Sequence, residues 1–205
     1  MDYLGIASQT TIDNVVAALK ERNIEAIIAE TGLEALAKIK ELIPAGASVM
    51  NGASRTLEEI GFIEYLRSGG HGWKNLHAPI AAETDPVKRL DLRRQALFAD
   101  YYLGSVHALA ETGEFVIASA SGSQLPHLVF TSPNLILVVG AQKIVPTLAD
   151  ALERVEKHVL PLEDARMKST GAAGSVLAKE LIFRREPAAM GRKFRMIIVR
   201  EALGF

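Results

Sequence analysis

The chain of 205 residues has 49% hydrophobic residues and a formal net charge of -1 at pH 7. This length and apolar fraction predict one folded domain over residues 1–205 and exclude a disordered chain. The balanced charge gives no global attraction to nucleic acid, and the absence of cysteine excludes disulfides, thiolate nucleophiles and iron–sulfur ligation by this chain.

The N-terminal residues favour a cytoplasmic protein. Asp2 lies near the start, and residues 1–20 contain no unbroken apolar segment of the kind found in a signal peptide. The longest apolar run, residues 135–139, is too short to span a membrane. We therefore expect a cytoplasmic location and no membrane association.

The N-terminal half alternates helical and strand patterns. Apolar residues at helical spacing predict helices over residues 11–22 and 31–43. Short aliphatic runs predict strands at residues 24–29 and 47–50. This alternation is typical of a parallel sheet covered by helices.

The middle of the chain carries a glycine-rich loop, a helix and two short strands. Residues 69–73, Gly-Gly-His-Gly-Trp, predict a flexible loop that acts as a lid. Asp85, followed by proline, opens a helix that we expect to run through residue 102. Strands at residues 106–110 and 115–118 follow, separated by a polar turn.

The C-terminal part predicts the rest of the sheet. The apolar run at residues 135–140 is typical of a strand buried on both faces, and an amphipathic helix follows at residues 146–158. Residues 179–184 and 194–200 predict a hairpin. The expected fold is an α/β three-layer α/β/α sandwich with a mostly parallel sheet and an antiparallel edge at the C-terminus.

Parallel sheets bind ligands at the carboxyl ends of their strands, so the loops after strands are candidate sites. The first, residues 51–56, offers a close backbone approach, a hydroxyl and a guanidinium to a phosphate or carboxylate. The structural alternative is that Ser54, or Thr56 in a capping box with a glutamate three residues later, only caps the next helix. The candidate ligand-binding residues here are Asn51, Gly52, Ser54 and Arg55.

Residues 109–124 form the second candidate. Glu111 ends a strand that we expect to be buried, where an ionised carboxylate is costly without partners. It is therefore a candidate nucleophile, general base or acceptor for a ligand hydroxyl. The alternatives are a hairpin turn at residues 111–114 and a helix cap at residues 121–124. The binding candidates beside Glu111 are Thr112, Gly113, Gly122, Ser123 and Gln124.

The third candidate is Lys143, which follows the most apolar strand and is placed to bind a substrate carboxylate. The alternative is a solvated lysine before a helix. The five histidines have no zinc-like spacing, so we predict no metal site. Dinucleotide-binding, P-loop and nucleophile-elbow motifs do not occur, so the cofactor stays unknown.

Several segments resemble the LUD domain family, the lactate-utilisation family. They are residues 102–116 (YLGSVHALAETGEFV), 122–126 (GSQLP), 137–146 (LVVGAQKIVP), 51–57 (NGASRTL) and 199–205 (VREALGF). The last two resemble a branch of small stand-alone members. The resemblance covers nearly the whole chain and implies a fold similar to that of ribose-5-phosphate isomerases, glucosamine-6-phosphate deaminases and CoA transferases.

The function that this resemblance implies is binding of a small anionic metabolite in lactate metabolism. Family members resemble lactate utilisation protein C, which works beside an iron–sulfur protein, so such a protein is the implied partner. The chain lacks that protein's C-terminal Gly-Pro-Ser and Gly-Val-His-Gly-Pro pattern.

Two alternatives remain. One is an isomerase or CoA-transferase-type enzyme using Glu111, because Glu111-Thr112-Gly113 resembles the Glu-Asn-Gly of CoA transferases. The other is a non-catalytic subunit that binds a partner protein through residues 203–205 and the Trp73 loop. Both a monomer and an oligomer are consistent with the sequence.

Overall fold

Two β-sheets organise the chain, whose residues 2–205 are described by a computed structural model. The strands are β1 (Glu25–Ala29), β2 (Ser48–Asn51), β3 (Lys74–Asn75), β4 (Tyr101–Ser105), β5 (Ala108–Ala110), β6 (Phe115–Ser119), β7 (Asn134–Gly140), β8 (Ile144–Val145), β9 (Lys179–Phe183) and β10 (Lys193–Val199). The larger sheet has the order β1-β10-β7-β4-β2-β3, and all its pairs are parallel. The smaller sheet has the order β8-β5-β6-β9, with β6 antiparallel to both neighbours.

Helices connect these strands, and short polar side chains cap the N-termini of several helices. The helices are α1 (Gln9–Glu21), α2 (Gly32–Leu42), α3 (Arg55–Glu59), α4 (Phe62–Ser68), α5 (His77–Ala82), α6 (Pro86–Gln95), α7 (Leu148–Arg154) and α8 (Leu160–Ser169). Two π-helical segments occur: the first spans His127–Thr131, and the second, Val155–Val159, joins α7 to α8. Side-chain oxygens accept the first free backbone N–H groups of five helices. These capping residues are Ser8, Thr31, Ser54, Asp85 and Thr147.

The larger sheet is buried on both faces, as the side-chain alternation of β7 shows. Leu135, Leu137 and Val139 pack in one core with α1 and with strands of the smaller sheet. Ile136 and Val138 point the other way, into a core with α2, α3 and α4. The predicted α/β class with a mostly parallel, helix-flanked sheet is therefore confirmed, although the smaller sheet shares one layer with α1.

The predicted hairpin of the last two strands is wrong, because these strands belong to different sheets, and the antiparallel edge strand lies in the smaller sheet. β10 lies between β1 and β7 and is parallel to both, whereas β9 is the antiparallel edge strand of the smaller sheet. The residues from Met196 to Val199 are all buried, so their side chains are apolar on both faces. A central parallel position buries both faces, whereas a solvated edge would leave one of them in water.

The helix expected to run through residue 102 ends earlier. α6 stops at Gln95, a 3₁₀ turn spans Ala96–Phe98, and β4 begins at Tyr101. The spacing of Tyr102 and Leu103 is compatible with a helix and with a strand. Pairing with β2 and β7 makes both of them strand residues.

The glycine-rich loop at residues 69–73 is anchored to the core and does not form a free lid. Trp73 is only 8% exposed, and its Nε1 donates a hydrogen bond of 3.0 Å to the carbonyl of Ile43. The ring stacks on His71 and on Phe62. Leu203 is buried as well, whereas Phe205 is only partly buried, so Trp73 and Leu203 pack inside the domain.

Arg192 ties the connection between β9 and β10 to the first π-helical segment. Its guanidinium pairs with Glu186 at 2.6 Å, and both side chains are almost fully buried. It also donates hydrogen bonds to the carbonyls of His127 and Leu128, at 3.2 and 2.8 Å. Breaking such a pair leaves a buried charge without its partner.

We predict that Arg192→Ala lowers the free energy of unfolding by about 3–5 kcal/mol, measured by urea denaturation. The matched control is Arg195→Ala, whose partner Glu25 is 61% exposed, and it should cost about 0–1 kcal/mol. Equal losses in the two variants would contradict a structural role of the buried pair.

Candidate functional site

A cavity of about 520 Å³ opens at the carboxyl edge of the larger sheet. Asn51 ends β2, Ser105 ends β4, and Lys143 follows β7 in a 3₁₀ turn, and all three line the cavity. The end of β6, helix α5, the second π-helical segment and α8 supply the remaining walls. Its volume lies within the range of cavities that bind small organic molecules.

The amine of Lys143 is the buried cation at the floor of this cavity. Nζ donates to Thr56 Oγ1 at 2.9 Å, Ser105 Oγ at 3.1 Å and the carbonyl of Val106 at 3.2 Å. The residue is 3% exposed, so the alternative of a solvated lysine is wrong. Burial, with a smaller effect of nearby Arg154, lowers the pKa of Lys143 to about 7. Three oxygen acceptors fit an ammonium group, yet no carboxylate among residues 2–205 forms a salt bridge with it.

Arg154 is a second buried cation near the same floor. It is fully buried, and its Nη1 donates to the carbonyl of His107, a residue that lines the cavity. Its Nε and Nη2 find no hydrogen-bond partner in the part of the chain that the structure describes. Burial lowers the pKa of Arg154 to about 10, so the guanidinium keeps its charge at neutral pH. Arg154 does not itself line the cavity, but its charge is close enough to Lys143 to contribute to the lowered pKa of that amine.

Asn51 brings an unsatisfied acceptor to the cavity. Its Nδ2 donates to the carbonyl of Gly52 at 3.1 Å, while its buried Oδ1 has no donor among the described residues. Gly52 allows close packing here, because a Cβ at this position would lie 2.5 Å from Tyr102 Oη and 3.0 Å from Gln124 Oε1. A hydroxyl or amine of a ligand could supply the missing donor.

Two polar residues of the same loop are engaged in local structure. Ser54 caps α3 by accepting the N–H of Leu57 at 3.2 Å, although it also lines the cavity. Arg55 lies at the mouth, where it pairs with Glu58 at 2.8 Å and Glu59 at 3.4 Å. Ser54 therefore caps α3 as the structural alternative expected, its role in ligand binding stays a prediction, and a ligand would compete with two carboxylates for Arg55.

The family model of the LUD domain matches residues 12–188. The chain belongs to the LUD domain family. A crystal structure of a DUF162 family protein from Deinococcus radiodurans has a similar fold, with a TM-score of 0.56 over 95% of this chain and 98% of that chain. The two are 12% identical in sequence, so this likeness concerns the fold alone. No curated protein matches this sequence.

The LUD domain does not bring all the predicted residues together. Asn51, Gly52, Ser54, Arg55, Ser123, Gln124 and Lys143 line the cavity. Glu111, Thr112 and Gly113 lie outside it, in the hairpin turn between β5 and β6, as the structural alternative expected. Gly122 adjoins the side chain of Lys179 and does not line the cavity either.

The hairpin turn explains the placement of Glu111. Gly113 adopts φ +92°, which favours glycine, and its N–H donates to the carbonyl of Ala110 at 2.8 Å. The carboxylate of Glu111 accepts a hydrogen bond of 2.6 Å from Asn14 Nδ2. Its catalytic role stays a prediction, but it lies apart from the cavity.

The sequence did not reveal the residues that hold the Lys143 amine. Thr56 was expected to cap α3, but Ser54 does so, and the hydroxyl of Thr56 instead accepts from Lys143 and donates to the carbonyl of Leu203 at 3.2 Å. Ser105 is the last residue of β4, a strand that the helical spacing of the preceding residues did not predict. The one signal in the sequence was a hydroxyl residue beside an apolar run.

Two further observations concern the described residues alone. No helix between residues 2 and 205 is long and apolar enough to cross a membrane. In the same range, no three histidine, aspartate or glutamate side chains come together as metal ligands.

His127 closes the cavity wall beside Tyr102. The two rings stack with centroids 4.5 Å apart, and His127 Nδ1 makes a hydrogen bond of 2.9 Å with Ser132 Oγ. The residue is 1% exposed, and burial lowers its pKa to about 4. Below the unfolded pKa of about 6.5, the unfolded chain therefore binds a proton that the folded protein excludes.

We predict that His127→Asn makes stability less sensitive to acid. In the native protein, His127 lowers the free energy of unfolding by up to about 1.4 kcal/mol for each pH unit between about pH 6.5 and 4. Asparagine does not titrate in this range, so the variant lacks this effect. Urea denaturation at several pH values from 7 to 4.5 measures the slope. His158→Asn is the control, because His158 is only partly buried and should change the slope less. Parallel curves for wild type and His127→Asn would refute the prediction.

Proposed function

We propose that this LUD domain binds a small carboxylate metabolite whose carboxylate replaces one of the three oxygen acceptors of the Lys143 ammonium group. The observation that carries the proposal is a buried amine that lines a cavity and has no carboxylate partner among the described residues. A buried ion without a counter-ion costs several kcal/mol, so an anion in the cavity would offset this cost. The positive charge of Arg154 acts in the same direction.

Asn51 supports a hydroxy acid as the ligand. Its Oδ1 is a buried acceptor without a donor, and β2, which it ends, is the neighbour of β4, which carries Ser105. Neighbouring strands lie about 4.8 Å apart, so one small molecule can reach both strand ends. The family's association with lactate utilisation agrees with this class of ligand. An iron–sulfur partner is a further proposal that follows from that association alone.

Binding should depend on pH through Lys143. A bound carboxylate favours the ammonium form and raises the pKa of Lys143 above its free value of about 7. Affinity is therefore highest below pH 7, where the amine is already protonated, and falls as pH rises above 7.

We predict that Lys143→Met abolishes binding of the acid. The native protein should be stabilised by L-lactate or pyruvate, by about 2.7 kcal/mol at 100 times Kd, whereas a sugar phosphate or a CoA ester without a free carboxylate should not give this response. A thermal-shift assay would show this as a rise in Tm of roughly 5–10 °C. Methionine has a similar length and no charge, so the variant should fold and lose only the response to the ligand.

Lys157→Met is the matched control, because Lys157 is exposed and pairs with Glu153 outside the cavity. It should keep the full response. The proposal fails if no carboxylate ligand stabilises the native protein, or if Lys143→Met responds as strongly as Lys157→Met.

The variant Glu111→Gln tests whether the ligand binds in the cavity or at the hairpin turn that carries Glu111. Because Glu111 does not line the cavity, we predict that this variant folds and binds the acid with unchanged affinity. Isothermal titration calorimetry checks this. Loss of binding in a folded Glu111→Gln variant would instead support the enzyme that uses this carboxylate.

A further inference from the structure

The cavity is much larger than a three-carbon acid. Lactate and pyruvate each have six non-hydrogen atoms, which fill roughly 180 Å³ if each atom takes the roughly 30 Å³ of a liquid water molecule. The cavity holds about 520 Å³. A three-carbon acid at Lys143 would therefore leave most of the volume to water.

One wall of the cavity, formed by residues that follow α7 in the chain, is mostly apolar. It comes from the second π-helical segment, from α8 and from the strand-free stretch that follows α8. Its apolar lining residues are Val155, Val159, Leu160, Met167, Val176 and Leu177. Such a surface gains free energy when it contacts hydrocarbon instead of water.

The charged groups of α8 do not compete for a ligand. Glu163 and Arg166 also line the cavity, but they bind one another through two hydrogen bonds of 2.7 Å. The unsatisfied acceptor Asn51 Oδ1 and the Lys143 amine, which has no salt bridge among the described residues, lie elsewhere, on the sheet edge. The cavity thus has one polar wall with an unneutralised cation and one wall that offers hydrocarbon contacts.

We infer that the ligand is a medium-chain 2-hydroxy acid of about eight to ten carbons, whose carboxylate meets Lys143 and whose chain lies along the apolar wall. This inference rests on the proposed function and narrows it. An acid of this length has 11 to 13 non-hydrogen atoms, which fill roughly 330–390 Å³ of the cavity. The hydroxyl supplies the donor that Asn51 Oδ1 lacks.

Calorimetric titration of the full chain with 2-hydroxy acids of three, four, six, eight and ten carbons tests the inference, each acid kept below its critical micelle concentration. Each buried methylene should tighten binding by about three- to four-fold, so the eight-carbon acid, with five more carbons, should bind roughly 200- to 1000-fold tighter than lactate. Octylamine has the chain without the carboxylate and should bind weakly.

A matched pair of variants locates the chain in the cavity. Leu160→Phe adds volume to the lining of the apolar wall, whereas Leu162→Phe changes an exposed position of the same helix that does not line the cavity. Leu160→Phe should weaken binding of the eight-carbon acid by about ten-fold or more, because roughly two of its methylenes lose their contacts with the wall. The affinity for lactate should not change. Leu162→Phe should alter neither.

The outcomes separate the two proposals. If no acid of any length binds, the proposed function fails and the inference fails with it. If acids bind but affinity does not rise with chain length, or if Leu160→Phe leaves the eight-carbon acid unaffected, only the chain-length inference is overturned. Binding of octylamine as tight as that of the eight-carbon acid would mean that the chain binds without the carboxylate, and would also overturn it.

Discussion

The buried ammonium group of Lys143 connects the elements that form the site. Its hydrogen bonds join the 3₁₀ turn after β7 to Thr56 in α3 and to Ser105 at the end of β4. Thr56 in turn donates to the carbonyl of Leu203, which also accepts from Gln142 Nε2 at 2.9 Å. The ends of β4, β7 and β10 are thereby held around one amine that forms no salt bridge with a carboxylate of residues 2–205. The same feature that fixes this edge of the sheet gives it an affinity for anions.

The two sheets position different walls of the cavity. The parallel sheet brings strand ends together, and with them the polar groups Asn51, Ser105 and Lys143. The smaller sheet packs against α7, which leads through the second π-helical segment into α8 and its apolar lining residues. The contrast between a polar edge and an apolar helix thus follows from the order of elements along the chain.

Much of the fold could be predicted from the sequence, because local patterns decide it. The apolar run of β7 and the capped helices are visible as patterns, and the rule for strand ends selected Lys143. Long-range pairing could not be predicted. Tyr102 fits a helix by spacing and becomes a strand residue only through its neighbours, and the central position of β10 depends on which strands enclose it. The role of Thr56 depends on two partners 87 and 147 residues away.

The proposed function requires that Lys143 carries a buried amine without a salt-bridge partner and that a carboxylate ligand stabilises its protonated form. The most direct measurement is an NMR titration of the Lys143 side chain from pH 5 to 11, with and without saturating 2-hydroxy acid, assigned by comparison with Lys143→Met. The account predicts a pKa of about 7 in the free protein and a clearly higher one in the complex. A free pKa near the ordinary lysine value of about 10.4, or a pKa that the acid does not move, would contradict it.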